Sequence, residues 1–314
     1  MRKLSLHEPK FNGKELKYLN DCIKSTWVST SGKYIAKFEK KISKYTKSKY
    51  AIACNSGTSA LHISLLIAGV KSNDEVIVPT LTFIAPINAV RYVNATPIFM
   101  DCDQYFNIDV KKTIEFVKNE TIFKNGFTIN KKSKKYIKAI VVVHVFGNAV
   151  DLEEIHKLCK KRNIKLIEDC SESLGTFYIN KNSKKHTGNY GDLNCVSFNG
   201  NKIITSGAGG IILTNIKKYE KKIRYLIKQA KNDELNFVHN EVGYNYSLTN
   251  INAAIGYAQL EKLKLILIKK RIIHKKYISL LEKNNNFDIC LPPDYSKNKN
   301  WLNILKINNV KRNK

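Results

Sequence analysis

Lys202 ends the string Ser197-Phe-Asn-Gly-Asn-Lys, which follows an apolar run, and it precedes the glycine-rich TSGAGG at 205–210. A primary amine held in a constrained, partly dehydrated place can acquire a lowered pKa and attack a carbonyl carbon. Three other places could serve such an amine. Asp169 closes the apolar run KLIED; a carboxylate at the end of a central strand is poorly solvated and needs a cationic or hydrogen-bonding partner. Asn55-Ser56-Gly57-Thr58 stands between a strand and a helix, where free amides and the helix dipole favour phosphate and glycine permits close approach. Thr80-Leu-Thr-Phe83 offers an aromatic ring that could stack on a planar group. Each also has a plain structural reading: a solvated lysine, a salt-bridged or capping aspartate, a helix N-cap, a core phenylalanine. Taken singly, the plain reading is the better one at Lys202, Asp169 and Phe83 and stands level at the turn. No G-x-x-x-x-G-K-[ST] occurs, so a P-loop is not supported.

The elements that would position these groups follow from hydrophobic patterning. Short apolar runs at Tyr50–Ala53, Glu75–Val78, Pro97–Met100, Ala139–Val143, Ile164–Ile167, Asn194–Ser197 and Ile211–Thr214 read as strands. Ala139–Val143, continuous and mostly β-branched, suits a strand buried on both faces. Between the strands lie helical patterns over 54–70, Phe83–Val93, Val110 to about Lys118, Leu152–Arg162 and Lys218–Ala230, with Asp109 and Asp151 as caps. Strands alternating with helices predict an α/β layered domain with a mostly parallel sheet. In such a sheet ligands bind beyond the carboxyl ends of the strands, where all four candidate places fall. The polar segment Phe123–Lys138 breaks the rhythm and reads as a surface excursion. Residues 249–282 form a long helical pattern, and one weak apolar run, Trp301–Ile307, follows Pro292-Pro293.

Length and composition bound the rest. The 314 residues suit one large domain or two smaller ones, and 43% hydrophobic content is enough for a core. No run of 18 apolar residues occurs and MRKLSLHEPKF lacks an apolar signal region, which reads as a cytoplasmic protein without a membrane span. The net charge of +28 raises nucleic-acid binding. The lysines, however, are scattered along the chain among Asn and Ile, the pattern of an AT-rich coding sequence, and would at most favour anionic ligands. Seven cysteines without a C-x-x-C read as reduced thiols, and no metal site is expected.

Six ordered strings carry a more specific signal: NSGTSALH at 55–62, DEVIVPTLTFIAPINAV at 74–90, VHVFGNAVDL at 143–152, IEDCSESLG at 167–175, GDLNCVSFNGNKIITSGAGGIILTN at 191–215 and GYNYSLTNINAAIG at 243–256. Together they resemble the DegT/DnrJ/StrS-type sugar aminotransferases over about Leu4 to Glu282. The resemblance implies the pyridoxal 5'-phosphate (PLP)-dependent transferase fold type I: a large three-layer α/β/α domain over 26–235 and a small domain from 1–25 and 236–314. It implies that Lys202 binds PLP covalently and that the Ser197 hydroxyl, Gly57 and Thr58 hold the cofactor phosphate. Phe83 would pack on the pyridine ring, Asp169 pair with its nitrogen, and Glu172 lie near the ring hydroxyl. Asn245 would reach the phosphate in a neighbouring subunit, which makes the protein a homodimer with shared sites.

The implied reaction is transamination from L-glutamate to a nucleotide-linked 4-keto-6-deoxy sugar. The FNGNKIIT string and the FKNG…NKKSKK excursion resemble the legionaminic-acid and bacillosamine-pathway branch, hence UDP-4-keto-6-deoxy-N-acetylglucosamine. Family members carry a further stretch after the position of Trp301, whereas this chain ends in VKRNK, so the small domain is expected to be incomplete and an impaired homologue is one alternative. A sugar dehydratase on the same fold is another, opposed by Lys202, which those relatives replace with histidine. His62 and His144 read as structural; His186, in a loop before Lys202, is a weaker candidate for approaching the sugar.

Overall fold

The computed structural model describes residues 5–181, 183–233, 235–282 and 287–307; the 310–314 tail singled out above lies outside them. Seven strands form the central sheet: β1 (Tyr50–Cys54), β2 (Glu75–Pro79), β3 (Thr96–Met100), β4 (Ile137–Val143), β5 (Lys165–Asp169), β6 (Leu193–Ser197) and β7 (Gly210–Thr214). Their order is β1-β7-β6-β5-β4-β2-β3. Strand β7 is antiparallel to both neighbours, with Gly210 opposite Cys54 on one side and Ser197 on the other. The pairs from β6 across to β3 are parallel.

Period-two alternation sends successive side chains to opposite faces, and both faces are covered. Ile52, Val76, Val141, Ile167, Cys195 and Ile212 pack under α3 (Gly57–Ile67), α4 (Ala85–Tyr92) and α7 (Lys217–Ile227). Ile77, Ile140, Val142 and Leu166 face α5 (Val110–Asn119) and α6 (Leu152–Lys161). Ala51, Ala53, Val196 and Ile211 meet α1 (Glu15–Lys24), α2 (Lys33–Thr46) and α8 (Asn250–Leu281). The result is the expected α/β/α sandwich with a mostly parallel sheet. Helix α8 presses close because Gly256 faces Phe38: a Cβ there would lie 2.9 Å from the ring.

Several local expectations change. The 123–138 excursion is built around a hairpin, Thr121–Lys124 paired with Phe127–Asn130, with Gly126 at φ +78° in its turn. Its alternation is masked in the sequence by solvent-facing side chains. Helix α3 begins at Gly57 rather than at Cys54, capped by Ser56 Oγ, which accepts from Ser59 N. Asp109 caps α5 as expected, but Asp151 stands at the start of α6 without capping it and instead accepts from the Tyr178 hydroxyl at 2.7 Å. Helices α1 and α2 precede any segment the pattern reading assigned. Of the run Trp301–Ile307, Leu305–Ile307 forms a short strand against Phe287–Ile289. No helix among the described residues is long and apolar enough to cross a membrane.

Candidate active site

The turns leaving β1, β2, β5 and β6 converge at the carboxyl edge of the sheet around a cavity of about 280 Å³. Gly57, Thr58, Phe83, Asp169, Glu172, Ser197 and Lys202 all line it, so seven of the eight residues picked from sequence meet in one place. Asn245 does not line it: its side chain is exposed beyond β1, and its carbonyl accepts from Asn55 Nδ2 at 3.3 Å.

One end of the cavity is a helix start. Ser59 N is taken by the Ser56 cap, and the amides of Gly57 and Thr58, in the first turn of α3, have no intrahelical acceptor. They form a donor pair backed by the helix dipole. Gly57 is required by packing: a Cβ would lie 2.8 Å from Ser197 Cβ. The turn and the end of β6 are thereby pressed together, which brings the Ser197 hydroxyl beside the helix start.

Asp169, at the end of β5, is only 4% exposed. Its Oδ1 accepts from Ser171 N at 3.0 Å, and among the described residues no cation pairs with it. A buried carboxylate with spare acceptor capacity on a cavity wall is a receptor for a cationic or N–H group. Thr82 Oγ1, on the same lining, is buried and has no hydrogen-bond partner among the described residues.

Lys202 is held between an acid and an aromatic ring. Its Nζ lies 3.7 Å from Glu172 Oε1 and 4.4 Å from the centre of the Trp301 ring. Glu172 Oε2 accepts from Phe146 N at 2.7 Å. Burial pushes the Glu172 carboxyl above its ordinary pKa, with Lys202 opposing the shift. Phe83, 73% exposed, stands at the mouth rather than in the core.

The histidines divide as follows. His144 Nδ1 accepts from Val150 N at 3.1 Å, so Nε2 carries the proton donated to Glu168 Oε2 at 2.9 Å. Burial pushes the Glu168 carboxyl up, but the His144 bond and the amides of Gly191 and Gly188 outweigh it and hold it low. With Cys170 this group has metal-ligand geometry, yet its polar atoms are already engaged in structural hydrogen bonds. His62 packs edge-on against Tyr244. His186 does not line the cavity: it is 2% exposed and its Nε2 accepts from Gly175 N at 2.8 Å. Burial lowers its pKa to about 4.

Sequence reasoning missed Trp301 and Thr82. Trp301 is 6% exposed and lines the cavity although it lies 99 positions beyond Lys202. The one signal available was its rarity, as one of two tryptophans in the chain.

A family model described as the DegT/DnrJ/EryC1/StrS aminotransferase family matches residues 9–314. GDP-perosamine synthase of Escherichia coli O157:H7 is 41% identical over 284 residues, covering 90% of this chain and 73% of the relative. The UDP-4-amino-4,6-dideoxy-N-acetyl-β-L-altrosamine transaminase of Campylobacter jejuni is 35% identical over 280 residues, covering 88% of this chain and 69% of the relative. Among solved structures, Helicobacter pylori PseC, an aminotransferase involved in the biosynthesis of pseudoaminic acid, superposes with a TM-score of 0.84 at 25% identity, over 98% of this chain and 78% of that one.

Proposed function

The chain belongs to the DegT/DnrJ/EryC1/StrS family of PLP-dependent sugar aminotransferases; from that premise we propose that Lys202 is its cofactor lysine and that it aminates a nucleotide-linked 4-keto-6-deoxy sugar with L-glutamate as donor. The observation that carries the assignment is the meeting of a shielded amine, Lys202, and a buried carboxylate without a cation, Asp169, on one small cavity beside a helix start.

These residues fit PLP. The amides of Gly57 and Thr58 and the hydroxyls of Thr58 and Ser197 offer donors for its phosphate, and the close Gly57–Ser197 contact leaves that end shaped for an anion. Asp169 is the counter-ion for a protonated pyridine nitrogen, because a nearby opposite charge favours the charged form. Phe83 and the unpartnered Thr82 hydroxyl would border the cofactor. Bound PLP supplies the electron sink and the aldehyde that accepts and delivers the amino group. With PLP bound, Lys202 Nζ would hold it covalently and, as a free amine, would carry a proton between the donor's α-carbon and the cofactor's aldehyde carbon. Glu172, raised by burial and close to Nζ, fixes where that amine sits.

The 41% identity to GDP-perosamine synthase supports a GDP-linked sugar as the first substrate to test. The 35% relative and the FNGNKIIT string support the UDP-linked N-acetyl sugar, UDP-4-keto-6-deoxy-N-acetylglucosamine, as the second. Asn245, exposed and outside this chain's cavity, fits a homodimer in which it reaches a partner's phosphate; a native mass of two chains is expected.

The test is turnover. Purified protein with PLP and glutamate, offered GDP- and UDP-linked 4-keto-6-deoxy sugars, should release 2-oxoglutarate with one of them. Lys202→Ala should lower that rate on the order of a thousandfold or more and abolish the visible absorption of bound cofactor. A variant that kept both would overturn the assignment.

A further inference from the structure

After α8 the described chain returns across the carboxyl edge of the sheet. Ser296 Oγ accepts from Ala149 N at 2.8 Å, Ser296 and Lys297 pair with Tyr178 and Phe177, and Asn298 Nδ2 donates to Asn148 Oδ1 at 2.7 Å. This strap delivers Trp301 to the wall of the cavity, where three contacts hold it. Its indole Nε1–H donates to the carbonyl of Asn201 at 2.9 Å, its ring faces Lys202 Nζ at 4.4 Å, and its own carbonyl accepts from Lys270 Nζ at 2.8 Å. The first contact grips the residue before Lys202, the second the end of its side chain, and the third anchors the strap to α8.

We propose that Trp301 is a positioning residue for the cofactor lysine, clasping both the backbone that carries Lys202 and the amine at its tip. The inference rests on Lys202 being that lysine. A lysine side chain has four rotatable bonds and loses substantial entropy when held in one place. The aromatic face packs against the end of the side chain and excludes water from one side of it, while the Asn201 hydrogen bond restrains the turn from which the chain springs. Glu172, 3.7 Å from Nζ, bounds the amine by a separate contact. Replacing the indole therefore leaves the amine present but less ordered, so covalent capture of the cofactor slows before its binding is lost.

The experiment measures the rate at which the full-length protein acquires borohydride-stable PLP on Lys202, read by intact mass and peptide mapping. Trp301→Ala should slow capture on the order of tenfold, and Trp301→Phe, which keeps an aromatic face and loses the N–H, should recover part of the rate. Capture by both variants at the wild-type rate, with Lys202→Ala incapable of it, would overturn the clasp and leave the lysine assignment standing. Capture by Lys202→Ala at another residue would remove both.

A second readout needs no change at Trp301. In Trp27→Phe protein, where the exposed tryptophan is gone, the remaining emission should fall at least severalfold on PLP addition, because Trp301 borders the same cavity. Unchanged emission from protein that mass measurement finds loaded with cofactor would overturn the proposal, even if Trp301→Ala failed to fold.

Discussion

The two sides of the cavity are built by different means. On one side, the turns after β1, β5 and β6 place Gly57, Asp169 and Ser197 within a few residues of strands buried in the sheet, so the backbone positions them. On the other, the strap carrying Trp301 is held by side-chain and edge contacts to 146–149, 177–178 and α8. On the sheet side Asp169 and Ser197 end core strands and Gly57 begins a helix three residues beyond one; the strap side depends on a few polar anchors. On the proposed reading, a helix start and strand ends would suit the fixed recognition of a phosphate and a ring nitrogen, whereas the segment laid over the site would hold the lysine through side-chain contacts of its own.

The largest expected effect tests whether the strap side is the acid-labile one. His186 lies beneath it: its ring packs edge-on against Phe177, whose strand pairs with Lys297. Burial depresses its pKa from 6.5 to about 4. The folded state therefore favours the neutral ring, and protonation of the unfolded chain weakens folding as pH falls from 6.5 toward 4. That loss amounts to about 3 kcal/mol from this group. Urea unfolding across this range should show the slope, and His186→Gln, which keeps an acceptor for Gly175 N but cannot titrate, should flatten it. An unchanged slope would mean that the strap side carries no such liability.

Next, Asp169→Asn challenges the sheet side through its charge. The amide keeps the shape but cannot counter a protonated ring nitrogen, so kcat should fall on the order of a hundredfold while the cofactor remains attached to Lys202. Equal turnover would show that the buried carboxylate is structural. The smallest effect tests geometry alone. Gly57→Ala places a Cβ 2.8 Å from Ser197 Cβ, and the resulting shift of the helix start should weaken PLP affinity roughly tenfold. An affinity like the wild type's would mean the sheet side yields as readily as the strap.

Most of the sheet side was legible in the sequence because its parts are local. NSGT, the aspartate ending KLIED, and the Ser197–Lys202 step each join a strand to the residues just past it, and strand periodicity already says where those residues go. The hairpin over Thr121–Asn130 was hidden because its strands are short and half solvent-facing. His186 was read as lying in a loop, whereas it ends the strand Ser183–His186 and is buried, because a loop histidine and a buried one look alike until the strands that cover it are placed.

By itself the sequence determined the layered α/β architecture, the family, and the group of residues at the carboxyl edge, since these follow from periodicity and from contiguous motifs. Only the tertiary structure decided that Trp301 faces Lys202, that the Thr82 hydroxyl and Asp169 are buried with unused hydrogen-bonding capacity, and that Asn245 lies outside its own chain's cavity. The physical reason is that these depend on contacts between segments some hundred residues apart, where burial and partnership are set by packing and leave no period in the sequence.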